Sequence, residues 1–346
     1  MAFTLIKDRP LAKGVIVLIS SLAIFSLVQC ENFLLSINFV FFSTVAFSIT
    51  SIVFIAWFLF GDDRKIAKAA ILTVAIVLFE LALFSMAGGV IVWVINIAQI
   101  GLAMVLFRVR ALGGLLAYFS CAIFSLGAYL WGLSAGGSLA VLLSRPLDAL
   151  RFFVIATGNS IVGVFVQGSV LGPILWLDLL VGAVLTGVFV FVFIHFGKLP
   201  RDEKKRSFVL MSILLFGLLE QALITYGRLP LGVSNAATAR YATLTVVAPV
   251  SALVFLTMYG DVSRACLSIA VATGSAILLF TVIGDRNELR IAGGRHFLGV
   301  LRQQILLDNK IGAEEQKILE WESLPDIRDG NEILRKNRLS TYYRPQ

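Results

Sequence analysis

Charge is scarce in this chain. Of its 346 residues, 14% are Asp, Glu, Lys or Arg, against 58% hydrophobic residues and a mean hydropathy of +0.91. That balance excludes an ordinary soluble domain, in which about a quarter of the residues are charged. Cysteine and histidine are scarcer still, at three and two. Cys30, Cys121 and Cys266 stand far apart with no CxxC spacing, and His195 and His296 have neither ligand spacing nor a triad pattern around them. No metal site and no cofactor is therefore expected, and the cysteines read as apolar filler. A cleavage signal is also missing. Lys7, Arg9 and Lys13 precede the first apolar run as they would in a secretory leader, but no small-x-small site follows, so the run is expected to be a retained helix.

Long apolar runs are abundant. They cover 15–30, 34–60, 66–87, 90–107, 111–133, 173–196, 207–227, 241–259 and 264–284. Each can cross a hydrocarbon core of about 30 Å as a helix. The expectation is an all-α, polytopic transmembrane helix bundle of about nine spans over residues 1–284. Between the fifth and sixth runs lies 134–172, which is broken by Gly136-Gly137, Ser144-Arg145-Pro146 and Gly158-Asn159-Ser160. It reads as an extracytoplasmic amphipathic or re-entrant segment, because a full crossing there would reverse every later loop.

Orientation follows from lysine and arginine in short loops. With the N-terminus in the cytoplasm, fourteen basic residues lie inside: Lys7, Arg9, Lys13, Arg64, Lys65, Lys68, Arg108, Arg110, the cluster from Lys198 to Arg206, and Arg264. Four lie outside before the tail: Arg145, Arg151, Arg228 and Arg240. The expected orientation therefore has the N-terminus in the cytoplasm. Residues 285–346 then form a small polar C-terminal tail with eleven basic and ten acidic residues. Phe297, Leu298, Leu301 and Ile305 recur near helical spacing, and Ile318, Ile333 and Leu334 do so more loosely, so short amphipathic helices are expected there. Nine crossings put the tail outside.

Ionisable groups within spans cost about 2.5–3.5 kcal/mol on insertion scales, so each calls for an explanation. Glu80, Asp178 and Glu220 all fall in the outer half of their spans, and Glu31 and Asn96 extend the same layer. Above it stand Arg145, Asp148, Arg151, Arg228 and Arg240. One reading is structural: carboxylates paired with arginines or capping a neighbouring backbone to hold helices together. The other is a polar cavity opening outward, in which arginines hold a phosphate or carboxylate.

The polar layer gathers around one stretch, Gly227-Arg228-Leu229-Pro230-Leu231-Gly232 through Ala236-Ala237 to Ala239-Arg240-Tyr241. It is a short polar hinge between two long apolar segments. A helix starting near Arg240 would point its N-terminus outward and favour an anion, with Thr243 and Thr245 supplying hydroxyls. The same residues also describe an ordinary helix hairpin whose arginines meet lipid headgroups. Tyr241 and Trp176 fit an interfacial aromatic belt equally well.

In Gly227, Arg228, Gly232, Ala236, Arg240 and Tyr241 the chain resembles a group of bacterial inner-membrane proteins with a G-R-x-x-x-G, small-residue, R-Y pattern between two late spans. The stretch Phe152 to Gly158-Asn159 and the element Leu334-Arg335 to Leu339-Ser340 are similar to that group too, while Ala239 stands where a serine often precedes the Arg-Tyr pair. The resemblance implies a polytopic envelope protein and brings no activity with it.

Two functional classes compete. In the first, similar in layout to integral-membrane glycosyltransferases and glycan polymerases, the chain is a transferase acting on a lipid-linked sugar or phosphate at the outer face. Glu31, Asp178 or Glu220 would then be the catalytic base, and Arg145, Arg151, Arg228, Arg240 and Tyr241 would bind substrate. In the second it is a transporter or flippase for an anionic or lipid-linked substrate, whose acids relay protons. A non-catalytic assembly partner docking another envelope protein through its tail is a third reading. The expected partners are membrane lipids and a lipid-linked saccharide, with no nucleic acid.

Overall fold

The computed structural model describes residues 10–24, 39–61, 65–131, 139–162, 171–237, 241–260 and 263–308, together with Glu332 and Lys336. Glu31, Arg240, Cys30, Ile318, Ile333 and Leu334 fall outside the described residues, as does the His296 side chain. The described residues are helical throughout, without strands: α1 Pro10–Ile24, α2 Phe39–Phe60, α3 Lys65–Ser85, α4 Val90–Phe107, α5 Leu112–Leu130, α6 Leu139–Ser144, α7 Pro146–Val162, α8 Leu171–Lys198, α9 Arg201–Arg228, α10 Ala242–Thr245, α11 Val247–Met258 and α12 Arg264–Asp308. Short 3₁₀ turns occupy Ala87–Gly89, Leu229–Leu231 and Val233–Ala237. A backbone surrounded by lipid has to satisfy its own N–H and C=O groups, and apolar runs of this length do so as helices.

Among the described residues seven helices are long and apolar enough to cross a membrane: those at Val40–Phe60, Ala67–Ser85, Ala87–Phe107, Leu112–Leu130, Leu175–Lys198, Arg201–Leu231 and Arg264–Ile283. Of the other two expected runs, the first is described only over Pro10–Ile24 as α1, and the eighth is split at Val246 into α10 and α11. Pro249 accounts for the split, because it has no N–H to give the carbonyl of Thr245 four residues earlier.

The chain divides into two compact units, Met1–Asp285 and Arg286–Gln346. In the second unit the described residues are the α12 portion at 286–308 with Glu332 and Lys336; Leu301 and Ile305 are half-buried and Gln304 is exposed. In the first unit α9 is the central helix. Protein buries 67% of its apolar window, against 11–39% for the other six spans. Large apolar side chains such as Phe84, Val105 and Phe124 point outward, the surface a bundle presents to hydrocarbon.

Aromatic packing shows which loops share an end. Phe60 closes α2, Phe107 closes α4 and Phe208 lies about two turns into α9; their rings meet edge to face with centroids 5.4–6.0 Å apart, and Lys205 Nζ lies 5.0 Å above the Phe60 ring. Tyr259, just past α11, donates to the Glu203 carbonyl at 3.2 Å. Arg108, Arg110, Lys198 and the basic start of α9 therefore belong to one end of the bundle, and Arg264 follows Tyr259 there. The turn at Ala87–Gly89 and the hinge after Arg228 belong to the other.

Candidate functional site

The hinge folds as its residues require. Pro230 cannot extend the α9 hydrogen-bond ladder, and Gly232, at φ 99° and ψ 155°, takes a conformation nearly closed to side-chain-bearing residues. The chain is thereby turned into Val233–Ala237, which packs on α7 along with Leu229, Ala236, Ala237 and Tyr241. Phe152, Ile155 and Ala156 of α7 complete that cluster with Ile224 of α9 and Leu244 of α10.

Beneath the hinge lies a buried polar layer. Thr157 of α7 donates to Gln221 Oε1 of α9 at 2.7 Å. Beside it Gly158 meets α8: a methyl group there would land on the carbonyl of Asp178, and one on Gly182 would land on the carbonyl of Val154. These reciprocal glycines let α7 and α8 approach backbone to backbone, as small residues do between membrane helices. Asp178 and Glu220 lie in the same layer, 0% and 1% exposed. Among the described residues neither Asp178 oxygen has a hydrogen-bond partner, nor do Glu220 Oε1 and Gln221 Nε2. The Glu220 carboxyl fits against Gly88, where a Cβ would stand 2.6 Å from both its oxygens. Gly88 belongs to the turn that opens α4, and the positive end of that helix dipole attracts a carboxyl.

The expected site residues thus separate. Asp178 and Glu220 fall in one layer, Asp178 at the crossing of α7 and α8 and Glu220 against the turn before α4. Arg145, Arg151 and Arg228 are exposed, and Arg228 extends over the buried Tyr241 with its guanidinium carbon 6.0 Å from the ring centre. Glu80 belongs elsewhere, accepting a hydrogen bond from Ser125 of α5. Asn96 is packing as well. It donates to Ser51 and to the Tyr118 hydroxyl, both at 2.8 Å, and Ser51 passes its own hydrogen to the Ala75 carbonyl, tying α2, α3, α4 and α5 together. The outward-pointing helix expected near Arg240 begins as the four-residue α10, all of whose side chains are buried, and Thr245 bonds back to the Tyr241 carbonyl at 3.1 Å.

Sequence reasoning missed Gly88, Gly182, Thr157 and Gln221, whose roles depend on which helices meet. It also missed a pairing at the basic end, where Cys266 Sγ lies 3.8 Å from His195 Nε2 although 71 residues separate them. No protein-family model, curated protein or solved structure matches the chain.

Proposed function

We propose that this membrane protein acts on a lipid-linked sugar or phosphate, with the buried layer beneath the hinge as its site. The observation that carries this reading is the stacking at one end of the bundle. Exposed Arg145, Arg151 and Arg228 surround the hinge and α7, above two buried carboxyls of which both Asp178 oxygens and Glu220 Oε1 have no hydrogen-bond partner among the described residues. Arginine offers a planar fork that matches phosphate oxygens. A carboxyl reached when the hinge lifts would take the proton of an attacking hydroxyl, and the arginines would stabilise the departing phosphate. Glu31 and Arg240 remain part of this proposal as candidate base and clamp. So do nine crossings, with α1 and α10–α11 supplying the two beyond the seven long helices.

The segregation of basic residues supports placing the hinge end outside. Arg108, Arg110, Lys198, Arg201, Lys204, Lys205, Arg206 and Arg264 lie at the opposite end, which is the cytoplasmic one under the positive-inside tendency. An inner-membrane location with the N-terminus inside fits the same pattern.

Transport is the second reading, favoured by the near-complete burial of Asp178 and Glu220, since unpartnered intramembrane acids also serve as proton carriers. The test replaces Asp178 by Asn, Glu220 by Gln and Arg228 by Lys, one at a time, and measures surface glycan per unit of folded protein. A transferase loses product in all three and accumulates its lipid-linked donor. A transporter loses proton-coupled movement in the first two alone. Normal glycans in all three would end the proposal.

A further inference from the structure

Between α4, α8 and α9, running from mid-depth at Gln99 toward the basic end at Leu106 and Phe208, the bundle contains a cavity of about 120 Å³. Its walls come from α4 (Ile95, Ala98, Gln99, Leu102, Leu106), α8 (Phe193, Phe196) and α9 (Phe208, Met211, Ser212, Leu215). All are uncharged, and apart from Gln99 and Ser212 all are apolar. Ser212 spends its hydroxyl hydrogen on the Phe208 carbonyl at 3.0 Å. Gln99 has no such outlet. It is 1% exposed, and among the described residues neither its Nε2 nor its Oε1 has a hydrogen-bond partner. A buried amide left unpaired is costly, so the pair of unused groups calls for something that can both accept and donate.

The remaining wall restricts what that occupant is. Gln99 lies halfway along α4, about 12–14 Å from either end at 1.5 Å per residue, too deep for a charged lipid headgroup. Three phenylalanines and a methionine suit a flat ring, since thioethers and aromatic edges both favour ring contacts. At about 120 Å³, below the roughly 150 Å³ of an apolar cavity that accepts benzene, the space admits no more than one ring. Leu102, Leu106 and Phe193 on the rim are 47%, 43% and 37% exposed, leaving an opening through which a tail can run into lipid.

The geometry points to a binding site for a lipid-soluble quinone or its quinol, with the Gln99 amide donating to a ring carbonyl and accepting from a ring hydroxyl. The site is separate from the layer beneath the hinge and does not rest on the transferase reading. The test titrates the purified full-length protein in detergent with decylubiquinone and follows quenching of tryptophan fluorescence, with Trp93 on the same helix as one reporter. Saturable quenching is expected, weakened at least tenfold by Gln99→Leu and by Ala98→Phe, which fills the cavity. Decane in excess should not compete. Loss of binding in Ala98→Phe but not in Gln99→Leu would make the cavity a greasy slot without the proposed recognition and overturn the inference. So would unsaturable quenching in the wild-type protein, leaving solvent or detergent as the occupant. Unchanged melting of both variants shows that any loss of binding is not unfolding.

Discussion

Replacing Gly182 by alanine tests how the polar layer is assembled. The added methyl lands on the carbonyl of Val154, and a backbone carbonyl cannot swing aside as a side chain would, so α7 and α8 have to separate. Overpacking of this kind costs about 1–3 kcal/mol. The shift of α7 also strains the 2.7 Å bond from Thr157 to Gln221, and interhelical hydrogen bonds in membranes average about 0.6 kcal/mol. At roughly 2–4 °C per kcal/mol for a domain of this order of size, the melting temperature in detergent should fall by about 3–14 °C. Gly187→Ala is the internal control. It lies on the same helix with nothing within 4 Å of an added Cβ, and alanine is the better helix former, so its melting point should hold or rise. Equal melting of Gly182→Ala and Gly187→Ala would refute the close crossing and the layer built on it.

Gly88→Ala should destabilise by about 1–3 kcal/mol through its collision with Glu220, and Glu220→Ala should relieve most of that loss in the double variant; additive effects in a double-mutant cycle would contradict the contact. Tyr118→Phe should cost about 0.5–1.5 kcal/mol, because Asn96 then keeps Ser51 as its only hydrogen-bonded partner of the two, as read by thermal unfolding. Arg228→Lys should leave the melting point within a degree or two, since an exposed cation–π contact is worth about 0.5–1 kcal/mol, while abolishing glycan or phosphate transfer in a product assay.

Much of the bundle was legible in the sequence because lipid enforces a simple rule: an apolar run long enough to cross becomes a helix. The division of α10 from α11 was not read from the sequence, where 241–259 counts as one run, although Pro249 lies within it. The site was legible only in part. Asp178, Glu220 and the hinge stand out as polar residues in an apolar chain, and the structure brings the first two into one layer. Asn96 has the same appearance in one dimension, yet its Nδ2 is spent on Ser51 and Tyr118, leaving only its Oδ1 without a partner among the described residues. Nothing in the sequence separates a polar group engaged by a neighbouring helix from one left open, because the neighbour is a tertiary fact. Gly158 and Gly182 show the same limit. Each reads as one glycine among 29, and only their reciprocal contact marks them as the point where α7 meets α8.

The placement of the polar hinge outside and the basic end inside is tested most directly by single-cysteine labelling in intact cells, on a background in which Cys30, Cys121 and Cys266 are replaced. Ser234→Cys in the hinge and Asp202→Cys at the start of α9 both put a thiol at an exposed position. An impermeant maleimide should label the first in intact cells and the second only after permeabilisation. Labelling of Asp202→Cys in intact cells, with Ser234→Cys protected until the membrane is opened, would contradict the account.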